Sequence, residues 1–413
     1  MKVEAFRVWA LGLVAMMTAG CGGAPLVKPD TGDIAARYAA DARAMCDLVP
    51  KVYAFYATRS AHWSEACRQA QVEAAAVTTP GQGTMVLEHL VDALWDAHAS
   101  LGVNTDASPW LVPSGSDLWL EAQRTDVLVT GVRYGGAADR AGIRVGDLIL
   151  SINGLAPHDA AKARIRTGVD DIPPERMAWA LNAAGAGHRG QTRKLILLRG
   201  GERIALELGD PPPAARDPPL SARMIGDIGY IRFNDSLGEG GTVAAFDAAM
   251  ESMRSAKGWI IDLRDTPSGG ITDVAEPIMG RFVAETLAYQ VTQPLHASAY
   301  ARRIEPRGPW TSSGPVAVIV GRWTGSMGEG MAIGFDGMQR GTVVGGAMAG
   351  LAGGVAVHNL PATDTDLRLP AYGLAHVDGT PRQLWMPRVL VQPDPGGTED
   401  FAIARALQMV GGR

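Results

Sequence analysis

The residue best placed to do chemistry is Ser326, in the stretch GRWTGSMGEG (321–330), which follows the apolar run PVAVIV and precedes MAIGFDGMQR. A serine where a strand ends and a helix begins shows its hydroxyl at an exposed edge. The helix N-terminus beneath it supplies unpaired N–H groups and a partial positive charge. Such donors can hold the oxyanion of a tetrahedral intermediate. A tight bend of small residues without chemistry has the same composition, and the stretch misses a Gly-x-Ser-x-Gly elbow at Thr324. An activated serine also needs a base, and no lysine follows Lys257. No HExxH, CxxC or Walker pattern occurs, and His62, His89, His158, His188 and His296 lack ligand-like spacing with acidic residues. Neither a metal nor a nucleotide cofactor is expected.

The elements that must hold this serine are read from a chain of 413 residues, long enough for two or three domains. Apolar content of 46% and charged content of 20% are those of a globular protein. A formal charge of −5 argues against a general nucleic-acid binder, which needs a basic face. Residues 33–105 place apolar side chains at i, i+3, i+4 and i+7, as in DIAARYAADARAMCDLVPKVYAFY and GTMVLEHLVDALWDAHASLG, which predicts a helical cap domain. From 114 to 210 short strands take over. The proline-rich DPPPAARDPPL marks a linker over 211–220. Over 221–413 strand and helix alternate, which implies a mostly parallel sheet covered by helices.

The first twenty residues carry Lys2 and Arg7, then an apolar stretch too short for a membrane span, then Thr-Ala-Gly before Cys21. This is the layout of a signal peptide. Small residues directly before a cysteine resemble a bacterial lipoprotein cleavage site, with Cys21 as the lipidated residue and 21–32 as tether. An ordinary signal peptide with an incidental cysteine is the other reading. The lipoprotein reading places the chain on the periplasmic face of a bacterial membrane. Cys46 and Cys67 then remain, as a disulfide or as two buried thiols.

GGAADRAGIRVGDLILSING (135–154) closely resembles the signature of bacterial PDZ domains. Such domains capture extended peptides by strand addition and hold a C-terminal carboxylate in a loop of amides. The resemblance puts SGSDLWLEA (114–122) at that loop and strand, with Leu118, Trp119 and Leu120 as peptide-binding candidates. A rigid spacer with the same fold is the alternative.

IGYIRF, WIIDLRDTPSGG and PVAVIVGRWTGSMGEG resemble the core of the C-terminal-processing (tail-specific) protease family. The order of helical cap, PDZ domain and catalytic domain is that family's order. The resemblance implies an α+β multidomain protein whose catalytic domain has the crotonase/Clp-protease-like βα-repeat layout. It puts Ser326 at the nucleophile position, three residues before Glu329, with the amides of Met327 and of Gly269 or Gly270 as oxyanion hole. Most of the family activates its serine with a lysine about 25 residues downstream; here that count falls on Leu351, so a Ser–Lys dyad is excluded. A branch resembling tricorn protease uses a histidine of the cap in a pattern close to L-x-D-x-H-x-x-L, which Leu94, Asp96, His98 and Leu101 fit. His98 is thus the candidate base, and a neutral imidazole suits that role. The group that orients the histidine is open, with Glu329 and Gln383 as candidates.

These features point to an exported, lipid-anchored serine peptidase acting on unfolded polypeptides or protein C-terminal tails. A catalytically silent scaffold of the same fold is the alternative, and a carboxylic-ester hydrolase would share the same site.

Overall fold

The computed structural model describes residues 34–168, 170, 172–211, 218–392 and 400–411. The leader, Cys21 and the tether lie outside the described residues, as does most of the 211–220 linker. The protein is an α+β multidomain chain with three successive parts.

The first part packs helices Ile34–Val52, Tyr56–Arg59, Trp63–Ala75 and Pro80–Asp92. Ala42, Met45 and Val49 recur at helical spacing and close on Ala66, Ala70, Val86, Leu87 and Leu90. The last helix begins at Thr79, whose hydroxyl accepts from the Gln82 amide, with Pro80 at the first helical position. A disulfide joins Cys46 to Cys67 across 21 residues and ties the first long helix to the second. Such a closure is worth roughly 3 kcal/mol in the chain-entropy account. The chain then forms a two-residue strand, Ser100–Leu101, paired antiparallel with Thr365–Ala375 of the C-terminal part. The helical part is therefore stitched into the C-terminal part by backbone hydrogen bonds, with His98 two residues before the seam.

The middle part is a five-stranded antiparallel sheet in the order Leu118–Gln123, Asp126–Val132, Leu148–Ile152, Arg193–Arg199, Glu202–Leu208. Helices Ala137–Arg140, Pro157–Arg164 and Pro174–Ala186 accompany it, and the last packs on the Leu118–Gln123 edge strand. Three contacts weld this part to the C-terminal one. Buried Arg133 pairs with Asp265 at 3.1 Å, Trp323 donates its indole N–H to the Ser116 carbonyl at 2.9 Å, and Trp323 meets Trp119 edge-on. Removing one partner of a buried ion pair such as Arg133–Asp265 typically costs about 3–5 kcal/mol.

The C-terminal part holds a six-stranded sheet in the order Val389–Leu390, Thr342–Gly345, Val316–Val320, Gly258–Asp262, Ile228–Phe233, Leu220–Ile225. All its pairings are parallel except that of the Leu220–Ile225 edge. Gly258–Asp262 and Val316–Val320 are buried along their whole length, as expected of central strands covered on both faces. Helices Thr242–Ser252, Thr272–Met279 and Met327–Gly337 share one core with Phe233, Trp259 and Phe282. Phe401–Gly411 covers the other face through Ala406 and Val410. A second sheet has no counterpart in the βα periodicity. It joins Leu287–Pro294, Tyr300–Ile304, Gly354–Leu360 and Thr365–Ala375 with the Ser100–Leu101 strand.

Candidate active site

Val316–Val320 ends at the turn that carries Ser326, and Met327–Gly337 starts one residue later. Ser326 itself has φ 49° and ψ −109°, a sparsely populated conformation for a residue with a Cβ. The surroundings over-determine it. Glu329 folds back one helical turn and accepts the Ser326 amide at 2.8 Å, while the Gly325 amide bonds the Thr266 carbonyl. A Thr266–Thr324 bridge fixes this turn against the loop after Gly258–Asp262.

His98 reaches the same point from the helical part. Buried Asp96 accepts the His98 amide at 3.0 Å and is itself held by the Tyr53 hydroxyl at 2.6 Å and by Arg59 at 3.0 Å. The imidazole bridges two groups. Its Nε2 lies 3.0 Å from Ser326 Oγ, and its Nδ1 lies 2.8 Å from the Ala352 carbonyl oxygen. A carbonyl can only accept, so Nδ1 carries the proton and Nε2 presents its lone pair to the serine hydroxyl. Burial, and next the nearby positive charge of Arg382, push the imidazole pKa down to about 4. The ring is thus neutral at neutral pH, the form that accepts a proton.

Neither sequence candidate for orienting the histidine touches it, which corrects that expectation. Glu329 is wholly buried and spends its carboxylate on the amides of Ser326, Gly350 and Leu351. Burial raises its pKa to about 7, against the opposing pull of Arg382 and of those amides. Gln383 makes no hydrogen bond to His98, and its side-chain oxygen has no partner among the described residues. The residue that sequence reasoning missed is Ala352. It acts through its backbone carbonyl, which leaves no side-chain signature.

The loop after Gly258–Asp262 completes the site. Gly269 has φ +66°, and a Cβ there would sit 2.4 Å from Ser326 Cβ and 2.9 Å from its Oγ, so only glycine lets the two backbones approach. Its amide is spent on the Thr266 carbonyl at 3.0 Å, so of the glycine pair it is Gly270 whose N–H lacks a partner among the described residues. The Met327 amide is likewise unpartnered there, as the first N–H groups of a helix have no intrahelical acceptor. The Met327 and Gly270 amides, the candidates for an oxyanion hole, are thus both without a partner among the described residues.

The peptide-binding expectation for the middle part is corrected. Leu118 and Leu120 point into its core, each 1% exposed, and Trp119 packs against Trp323 with the Arg322 guanidinium over its ring. The outer edge of Leu118–Gln123, where an added strand would pair, is occupied by a side chain. Asn182, from Pro174–Ala186, accepts the Leu120 amide at 2.9 Å and donates to the Leu120 carbonyl at 3.0 Å. One amide side chain thus makes the two hydrogen bonds a peptide backbone would make. Among the described residues no group of three or more His, Cys, Asp and Glu side chains could hold a metal ion.

Residues 227–394 match the family described as peptidase family S41, and residues 128–164 match that described as PDZ domain. No curated protein matches by sequence. Among solved structures, the chain is similar to the photosystem II D1 C-terminal processing protease at 16% identity and TM-score 0.57, covering 90% of this chain and 97% of that one. It is similar to mature CPAF at 13% identity and TM-score 0.62, covering 92% and 98%. A putative peptidase from Parabacteroides merdae aligns at 14% identity and TM-score 0.50, covering 91% and 94%. At these identities the likeness is one of fold.

Proposed function

We propose that this chain, whose residues 227–394 match peptidase family S41 and 128–164 a PDZ domain, hydrolyses peptide bonds through an acyl-enzyme on Ser326, with His98 as base. The observation that carries this reading is the 3.0 Å contact between His98 Nε2 and Ser326 Oγ, with the tautomer set by Ala352. Ser326 Oγ attacks the scissile carbonyl carbon as its proton passes to His98 Nε2. The carbonyl oxygen, now an oxyanion, is held by the Met327 and Gly270 amides. Collapse breaks the C–N bond, and the Nε2 proton leaves with the amine. Water then attacks the ester through the same base and frees Ser326.

The substrate in this reading is an unfolded polypeptide or a protein C-terminal tail. The chain is exported and anchored through Cys21 to the periplasmic face of a bacterial membrane; the Cys46–Cys67 disulfide supports an oxidising compartment. The rival reading is a silent scaffold, and one observation favours it: among the described residues no carboxylate bonds the imidazole to stabilise its charged form. The filled edge at Asn182 counts against a scaffold that works by peptide capture.

The test is incubation of the mature chain with an unfolded protein, with products mapped by mass spectrometry beside Ser326→Ala. Fragments that vanish in the variant support the peptidase. Equal fragments from both proteins remove Ser326 from the reaction, and no fragments from either favour the scaffold.

A further inference from the structure

Four residues, Gly350–Gly353, form a strap across the back of His98, and both faces of the strap are clamped. On one face Glu329 takes the amides of Gly350 and Leu351. On the other, Nη2 of Arg382 bridges the Leu351 carbonyl at 2.9 Å and the Gly353 carbonyl at 2.6 Å. The carbonyl between these two, that of Ala352, accepts the hydrogen bond from His98 Nδ1–H. Arg382 sits on a short turn, Arg382–Leu384, and is 3% exposed. It has no ion-pair partner within bridging distance among the described residues, and the charge that favours it most is that of Glu329.

We propose that Arg382 is a positioning residue for His98: by bracing the strap, this cation does the orienting that a carboxylate does in other serine–histidine pairs. The inference rests on the serine-hydrolase reading for its catalytic meaning, though not for its structural test. A buried unpaired guanidinium is costly, and here its bonds go to the two carbonyls that flank the one contacting the base. The substitution has an electrostatic consequence. A carboxylate beside an imidazole stabilises the imidazolium, whereas a cation disfavours it. The other charged or titratable groups around His98 are Asp96 on its own turn, with Arg59 and Tyr53 bonded to that carboxylate, and Glu329 on Met327–Gly337. Of the charges acting on the ring, Arg382 lowers and Asp96 raises its proton affinity. The arrangement thus keeps the base deprotonated at rest and offers little help to the imidazolium formed during attack.

The test is an NMR titration of the labelled His98 ring in the whole mature chain, for wild type, Arg382→Met and Arg382→Gln. Glutamine keeps N–H donors for the strap and removes only the charge, so it also serves if the methionine variant does not fold. Both variants should titrate at higher pH than wild type, by about half a unit or more. Where turnover is measurable, Arg382→Met should lower kcat by about 10- to 100-fold with KM nearly unchanged, and Arg382→Gln should lose less. A His98 titration unmoved in both variants, with only thermal stability reduced, would overturn the proposal. The same spectra report the Nδ1–H bond to Ala352 without substrate: it should weaken in Arg382→Met and persist in Arg382→Gln, and an Nδ1 signal unchanged in Arg382→Met would leave Arg382 a charge only and overturn the proposal.

Discussion

Two regions of this molecule depart from the patterns their sequences resemble, and they depart in opposite directions. At the Ser326–His98 junction the residues expected to orient the base do so in neither case, yet serine and imidazole stay in contact: a backbone carbonyl accepts a hydrogen bond from Nδ1–H, and the Met327 and Gly270 amides have no partner among the described residues. At the edge of the middle sheet the strand is present, yet the geometry is filled, because Asn182 takes both hydrogen bonds of Leu120. A missing motif residue therefore says less than the atom that stands in its place. In one region the replacement preserves an open site; in the other it closes one.

The comparison can be broken most sharply at Gly269. Gly269→Ala puts a methyl group where Ser326 Cβ lies 2.4 Å away, at a backbone angle that alanine resists. Hydrolysis should fall by about 100-fold or more, the scale of losing an oxyanion donor, and steady-state kinetics would read it. An alanine variant with near-wild-type turnover would mean that the approach of these two backbones is not needed.

Glu329→Gln comes next. The amide cannot accept from three N–H groups with the strength of a carboxylate, so the turn and the strap should both loosen. A loss of about 10-fold in kcat and about 1–3 kcal/mol in unfolding free energy is expected from kinetics and denaturant titration.

The pH profile sharpens the same region. His98 must be neutral to act, and its pKa is pushed down to about 4. Protonation of Glu329, whose pKa is pushed up to about 7, should lower kcat/KM only in part, and the acid limb that belongs to His98 should lie well below the ordinary histidine range. For stability the sign is the following. The folded chain binds this proton less readily than the unfolded chain, so the contribution of His98 to stability falls as pH drops from about 6.5 towards 4. In Glu329→Gln, which has no carboxylate to titrate there, an acid limb near pH 6.5 would contradict the buried, cation-flanked ring.

The smallest catalytic effect belongs to the other region. Asn182→Ala should leave hydrolysis of a short peptide within about threefold of wild type. It should cost about 1–2 kcal/mol of stability through the three lost hydrogen bonds, two to Leu120 and one to the Ala178 carbonyl. It should also let peptides with a free C-terminus bind the exposed edge, measured by fluorescence anisotropy. Equal peptide binding by wild type and variant would mean that the side chain does not block the edge.

Much of this was legible in the chain itself, and what was not has a physical reason. PVAVIV followed by TGSMGEG foretold a buried strand, a small-residue turn and a helix, because those features are local. Asp96 and His98 stood out through a spacing that resembled a known pattern. Ala352 could not stand out, since its contribution is a main-chain carbonyl that any residue could supply. Arg382 and Asn182 were silent for another reason. Each becomes meaningful only through contacts 29 to 62 residues away, and no periodicity records them. The join between the helical part and the second sheet was hidden because the Ser100–Leu101 strand has only two residues and pairs far along the chain. The expectation that Leu118, Trp119 and Leu120 face a ligand failed because strand position alone does not reveal which helix covers an edge.

The central claim is that Ser326 is a nucleophile activated by His98. It is tested most directly by treating the mature chain, Ser326→Ala and His98→Ala with a fluorophosphonate probe and mapping the adduct by mass spectrometry. The account predicts a single adduct on Ser326 in the wild type, none in Ser326→Ala, and labelling slowed by about 100-fold or more in His98→Ala. Labelling that persists in Ser326→Ala, or that proceeds at the wild-type rate without His98, would contradict it.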